Sequence, residues 1–316
     1  SIPAARKGGP DLQGAVHSPA KKEHRRSTAV VVCHPHPKFG GDFENNVVLA
    51  LSFLLAQEGF IVLRFNFRGV GRSAGSSTWR GTAEREDVIS ACEYMARRFR
   101  LHGRVPVEEE AQKVERGLSG SSREDHKEGS SAGTVEEGEI ERLVLIGYSF
   151  GASVGCSVAS TLDCVDAYAA LSIPAGFFSG FLLGHHLKLI DSPKPKLLTI
   201  GTKDSFTGMG RFEKLYNRLQ HPKQKRVFPG ANHIFGGEEG PLVMAVAEWL
   251  DSVETGTVSE GEEEEESAEL EVQGSASSSS DPPPSNSGSR LDVMREHVRR
   301  GGNSGPVRSK HRAPRK

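Results

Sequence analysis

Cysteine is scarce and unpatterned in this chain. Cys33, Cys92, Cys156 and Cys164 are scattered through 316 residues without a C-x-x-C pair. That excludes a disulfide framework and points to a reducing compartment, the cytoplasm being the simplest expectation. Long apolar runs are also missing. The longest candidate, Phe177 to Ile190, is broken by glycines and falls short of the roughly 20 residues a membrane-spanning helix needs, so no membrane span is expected. Charge of one sign is lacking too: the formal net charge is −1, which gives no overall electrostatic case for nucleic acid or an anionic membrane. The sequence starts at Ser1, so the lack of a targeting signal carries no weight.

What is present converges on one stretch, Leu143-Val144-Leu145-Ile146-Gly147-Tyr148-Ser149-Phe150-Gly151-Ala152. The apolar run reads as a fully buried strand, and the small residues after Gly151 read as the start of a helix packed against it. A serine between two glycines at such a junction has the spacing of a nucleophile elbow. The abrupt turn forces the serine into a strained backbone conformation, and the glycines remove Cβ atoms that would collide with strand and helix. The Phe150 amide, at the positive end of the helix, is then free to stabilise an oxyanion. Chance occurrence in a chain with 36 glycines is the competing explanation, and the strand-to-helix context argues against it.

Residues 1–27 read as a loosely ordered segment with at most one edge strand near Leu12 to His17. Thr28 to Cys33 is the first convincing strand, running into His34-Pro35-His36-Pro37-Lys38-Phe39-Gly40-Gly41. This loop sits where a second oxyanion donor belongs, and because prolines carry no amide hydrogen the His36 amide is the leading choice. A metal on His34 and His36 is disfavoured, since no Cys or carboxylate cluster completes a ligand set. Asn45 to Glu58 carries a helical stripe closed by Gly59, and Phe60 to Phe65 is the next strand.

The loop Asn66 to Gly75 that follows is glycine-rich, but G-x-G-x-x-x-G is not the dinucleotide-binding spacing, and a tight turn with Arg68 and Arg72 anchored nearby is preferred. Thr82 to Phe99 reads as a helix capped by Thr82. Residues 103–139 are too polar to fold alone and read as a disordered charged insertion. After the elbow come strands at Ala167 to Ile173, Pro195 to Gly201 and Gln224 to Phe228. Between the first two, Pro174 to Ile190 is either a core helix or a short apolar lid or acyl pocket over Ser149, with His185 and His186 at its surface. Pro241 opens the last helix. Residues 254–316, acidic and then basic, read as a disordered tail. The basic end suits an acidic partner, nucleic acid or an import receptor, which would allow a nuclear location, although a solvated tail is the plainer reading.

Alternating strands and helices imply an α/β fold, a mainly parallel sheet with helices on both faces, formed by residues 28–102 and 140–253. In such a sheet the site lies beyond the carboxyl ends of the strands. Ser149, Asp204 and His233 each follow a strand there, in the Ser…Asp…His order of α/β-hydrolases. Asn232-His233-Ile234-Phe235, His34-Pro35-His36-Pro37 with Gly40-Gly41, Asn45-Asn46-Val47-Val48, and Arg64-Phe65-Asn66-Phe67-Arg68-Gly69-Val70-Gly71 complete the pattern. On these motifs the chain resembles the small, lidless α/β-hydrolases whose first loop reads H-P-H-P. The resemblance implies a cofactor-independent serine hydrolase with carboxylesterase-like activity, a minimal cap, and departures only in the insertion and tail.

The expected reaction is hydrolysis of a small-molecule ester or thioester through an acyl-enzyme on Ser149. His233 is the base, Asp204 its orienting carboxylate, and the amides of Phe150 and His36 are the oxyanion donors. Phe39, Tyr148, Phe177 and Phe178 are candidates for the substrate pocket. No metal, cofactor or obligatory nucleic acid is called for. A peptidase or amidase would use the same groups, and an interaction scaffold served by the insertion and tail is the rival from another class.

Overall fold

A computed structural model describes residues 1–5, 8–21, 25–102 and 139–258. The proposed insertion, apart from residue 139, and the tail beyond residue 258 lie outside the described residues. Seven strands form one sheet: β1 (Gly14–His17), β2 (Thr28–Cys33), β3 (Ile61–Phe65), β4 (Arg142–Tyr148), β5 (Ala167–Leu171), β6 (Lys196–Lys203) and β7 (Lys223–Asn232). Their order is β1-β3-β2-β4-β5-β6-β7. Only β1 is antiparallel, pairing Gly14 with Phe65 and His17 with Val62. The parallel strands end together, Cys33 opposite Gly147 and Tyr148 opposite Leu171. The segments that follow them therefore meet along one edge of the sheet.

Side-chain alternation divides the core in two, because neighbouring residues of a strand face opposite sides. On β2, Ala29, Val31 and Cys33 face one core cluster, and Val30 and Val32 face the other. The second cluster is closed by α1 (Asn46–Gln57) and α6 (Glu239–Thr255). The first is closed by α2 (Glu84–Arg98), α3 (Phe150–Ala159), α4 (Phe177–Leu187) and α5 (Met209–Arg218). With both faces covered, the strands read as near-continuous apolar runs. The fold is that of an α/β-hydrolase with a minimal cap.

Several expectations need correction. The N-terminal segment is anchored: Ile2 and Leu12 bridge each other and are buried, because together they fill the end of the core beside β1. Thr82 does not cap α2, whose N-cap is Ala83 without a side-chain bond. Instead Glu84 accepts from the Thr78 amide and hydroxyl, both at 2.5 Å. The last helix starts at Glu239, two residues before Pro241. Helix α5 was not foreseen.

The glycine-rich loop after β3 is held by its own hydrogen bonds, Gly69 N donating to the Ala74 carbonyl at 3.0 Å and Ser73 Oγ to the Asn66 carbonyl at 2.7 Å. Arg68 is anchored as expected. Its guanidinium meets Asp87 at 2.7 Å, and its amide donates to the same carboxylate at 2.8 Å. Burial pushes the Asp87 carboxyl above its usual range even with Arg68 beside it. Arg68→Ala leaves that carboxylate buried and uncompensated, so it should cost roughly 3 kcal/mol, read as a lower urea midpoint. An unchanged midpoint would contradict this account of the loop.

Candidate active site

Ser149 is the single residue between β4 and α3. Its backbone lies at φ 55° and ψ −117°, a conformation that a side-chain-bearing residue adopts only under strain. The surroundings hold it there: its amide donates to the Leu171 carbonyl at 2.9 Å and its own carbonyl accepts from Ala152 at 2.9 Å. The flanking glycines are required by close approach. A Cβ on Gly147 would sit 2.3 Å from the Gly151 carbonyl oxygen, and one on Gly151 would sit 2.4 Å from the Cys33 carbonyl oxygen.

His233 follows β7, and Tyr148 Oη donates to its carbonyl at 2.7 Å. His233 Nε2 lies 2.8 Å from Ser149 Oγ, and Nδ1 lies 2.8 Å from Asp204 Oδ2. The other carboxylate oxygen, Oδ1, accepts from the amides of Phe206 at 2.8 Å and Thr207 at 3.0 Å. Burial works against charge on Asp204, but the bonds from His233 and these two amides outweigh it and hold the carboxyl below its usual range. An ionised Asp204 accepts a proton-bearing Nδ1, which leaves Nε2 as the acceptor facing the serine hydroxyl. All three side chains belong to buried residues. Thr207 also ties the Asp204 loop to the segment after β5, its hydroxyl donating to the Ile173 carbonyl at 2.8 Å.

The His34-to-Gly41 loop lies against the start of α3. The His36 ring packs 4.4 Å from the Phe150 ring, which brings the His36 segment beside the helix end that carries the Phe150 amide. As the first amide of α3, that of Phe150 has no carbonyl one turn earlier to bond. His34 pins the loop: Nδ1 donates to the Pro35 carbonyl at 2.6 Å and Nε2 accepts from the Phe67 amide at 3.0 Å. Burial lowers the pKa of His34 from 6.5 to about 4. His34 and His36 thus spend their nitrogens on the backbone, and no group of three His, Cys, Asp or Glu suited to a metal is found among the described residues.

The neutral His34 makes stability depend on pH. Between pH 4 and 6.5 the unfolded chain binds a proton that the folded His34 refuses, so this contribution is full above 6.5 and lost as pH falls toward 4. The loss is roughly 3 kcal/mol. Urea midpoints across that window should fall with acid, and less so in His34→Gln. Equal slopes for the two proteins would contradict the assignment.

The four pocket candidates do not share one environment. Phe39 is exposed at the mouth of the site, and Phe177 is 86% exposed on α4. Tyr148 is buried in the core, its ring stacked 6.0 Å from that of His233. It supports His233 because the alternation of β4 turns it inward. The side chain of Phe178 lies outside what the structure describes. His186 is corrected from surface to core: Nε2 donates to the Arg80 carbonyl at 2.8 Å and Nδ1 faces Ser157 Oγ at 3.0 Å. Burial takes its pKa to about 4. The sequence reading overlooked Trp79, 5.9 Å from Phe39, and Phe206, 4.3 Å from His233. The tryptophan lies in an irregular loop with no periodicity to mark it, whereas the position of Phe206 two residues after Asp204 was a usable signal.

The family model described as the dienelactone hydrolase family matches residues 12–268. The chain belongs to the dienelactone hydrolase family. It is 22% identical over 241 residues to an uncharacterised protein of Rickettsia prowazekii (strain Madrid E), covering 75% of this chain and 84% of that one. Among solved structures it is similar to an α/β serine hydrolase without a lid from Xanthomonas campestris, at 22% identity and TM-score 0.55, covering 78% of this chain and 95% of that one. It is also similar to the Butyrivibrio proteoclasticus protein Est1E, solved with ferulic acid, at 14% identity and TM-score 0.57, covering 78% and 97%. At these identities the structural likenesses speak for the fold, and the family membership makes the chain a hydrolase. No described helix is long and apolar enough to cross a membrane.

Proposed function

We propose that this family member is a serine hydrolase that cleaves a carboxylic ester or thioester through an acyl-enzyme on Ser149. The observation that carries the proposal is the unbroken chain of two 2.8 Å contacts from Ser149 Oγ through His233 to Asp204. A serine hydroxyl is a poor nucleophile until a base takes its proton, and an imidazole held by a buried carboxylate is such a base. As Ser149 Oγ attacks the carbonyl carbon, its proton passes to His233 Nε2, and Asp204 stabilises the resulting imidazolium. The carbonyl oxygen becomes an oxyanion, received by the amides of Phe150 and His36. His233 then protonates the leaving alcohol or thiol, and in a second cycle it activates the water that releases the acid.

Release of p-nitrophenol from acyl esters of increasing chain length tests the proposal. Saturable turnover with a preferred acyl length is expected, and silence across the whole series would overturn it.

A further inference from the structure

Among the described residues, several of the large apolar side chains left in solvent lie around the candidate site, while others, such as Phe53 and Val227, lie apart from it. Phe39 is 66% exposed, Trp79 52%, Phe181 75% and Phe206 49%, with Phe177 beside them on α4. Their positions are linked through the site itself. Phe39 and Trp79 both contact His36, at 5.1 and 5.6 Å, and His36 packs on Phe150, next to the serine. Phe206 packs on His233. Helix α4 starts against Phe206, so closely that a Cβ on Gly176 would lie 2.2 Å from the Phe206 carbonyl oxygen. Phe177 and Phe181 are one turn apart on that helix and share a face. Exposed aromatics gathered around one site mark an interaction surface.

Within the segments that carry these aromatics the exposed charges are basic, while acids adjoin them at Asp42 and Glu44 and, after Ile234, at Glu238 and Glu239. Segments 34–41, 67–82, 173–190 and 202–212 carry Phe39, Trp79, Phe177, Phe181 and Phe206, and their exposed ionised side chains include Lys38, Arg80 and Lys203. Their one carboxylate, Asp204, is buried under His233. The acids Glu44 and Glu239 are on the side of the site where Asn46 Nδ2 joins α1 to the Ile234 carbonyl at 3.1 Å and to Glu239 Oε1 at 2.6 Å. Aromatic side chains interleaved with Lys and Arg suit an interface that is apolar below and anionic at its surface. The described residues that flank 103–138 stand away from this face. Leu101 bridges Ile140 next to the start of β4, at the opposite edge of the sheet.

We infer that this face docks on an anionic lipid surface, with Phe39, Trp79, Phe177, Phe181 and Phe206 entering the headgroup layer and Lys38, Arg80 and Lys203 meeting lipid phosphates, so that the site opens onto the layer. The inference deepens the proposed reaction by naming its substrate class, an ester of a lipid or one dissolved in a lipid layer, and rests on that reading for the chemistry. The docking itself does not need it. The sequence supplies a reporter, because its two tryptophans are Trp79, half exposed, and Trp249, 1% exposed in the core. Any shift of emission on binding reports Trp79.

The test uses the full chain with vesicles of phosphatidylcholine, with and without phosphatidylglycerol, followed by tryptophan emission and by sedimentation. Binding with a blue shift is expected only with phosphatidylglycerol. Phe181→Ser and Arg80→Ser should each weaken binding by about fivefold while leaving hydrolysis of soluble p-nitrophenyl acetate unchanged. Trp79→Phe should abolish the shift. Sedimentation without a Trp79 shift would assign binding to another part of the chain and overturn the proposal. So would a shift that appears without vesicles and grows with protein concentration, which would assign the face to a second copy. Ser149→Ala should bind vesicles as wild type does. A protein that binds but hydrolyses nothing therefore rejects the reaction, and one that hydrolyses but does not bind rejects the docking.

Discussion

Ser149→Ala should lower turnover of a p-nitrophenyl ester by a factor on the order of 10⁴ to 10⁶ without lowering the urea midpoint. The hydroxyl is the atom on which the acyl group would be carried, and no neighbouring nucleophile replaces it: Ser149 alone stands between β4 and α3 with its Oγ against His233 Nε2. Asp204→Asn should cost on the order of 10⁴, because an amide at that position no longer selects the tautomer with its proton on Nδ1. It also replaces an acceptor that takes two backbone amides. The comparison separates nucleophile from orienter. Wild-type rates in both variants would remove Ser149 and Asp204 from the reaction, and a loss confined to Asp204→Asn would move the nucleophile elsewhere.

Gly151→Ala should damage both stability and activity severely. Its Cβ would lie 2.4 Å from the Cys33 carbonyl oxygen and 2.6 Å from that of His34. Both are main-chain atoms at the end of β2, so no side chain can rotate away. Relief requires α3 to back off from the sheet. That opens the first core cluster and moves the Phe150 amide from the His34-to-Gly41 loop. The expected cost is about 3 kcal/mol or more, measured by urea denaturation, with ester turnover lost in whatever protein remains folded. A variant with unchanged midpoint and activity would show that the strand and helix are less tightly apposed than described.

What could be read from the sequence follows from what is local. The elbow announces itself because a fully buried parallel strand is a continuous apolar run, and because close packing at Gly147 and Gly151 admits only glycine. The positions of Asp204 and His233 were legible as residues following strands, since parallel strands must deliver their next residues to a common edge. Their mutual distances were not. Those depend on the sheet order that sets β6 beside β5 and β7 beside β6, which no spacing in the chain encodes.

The misreadings share that cause. His186 belongs to the polar-looking end of α4, yet it is buried because the Arg80 carbonyl and Ser157, far away in sequence, complete its bonds. Tyr148 neighbours the serine in sequence but faces the opposite side of the strand, where its hydroxyl holds the His233 carbonyl. Ile2 and Leu12 sit in a stretch rich in Gly, Pro and Lys, and only their meeting across the sheet end makes them core. Helix α5 is the exception, since its stripe was there to be read: Phe212 and Leu215 are buried, and Met209 and Tyr216 pack against the same cluster.

The central claim is that Ser149 is the nucleophile. Its most direct test is to label the intact protein with a fluorophosphonate and map the adduct by peptide mass spectrometry. One adduct per chain is expected, on the peptide containing Ser149, with labelling lost in Ser149→Ala and strongly slowed in His233→Ala. A native protein that takes no label, or takes it on another residue, would contradict the account.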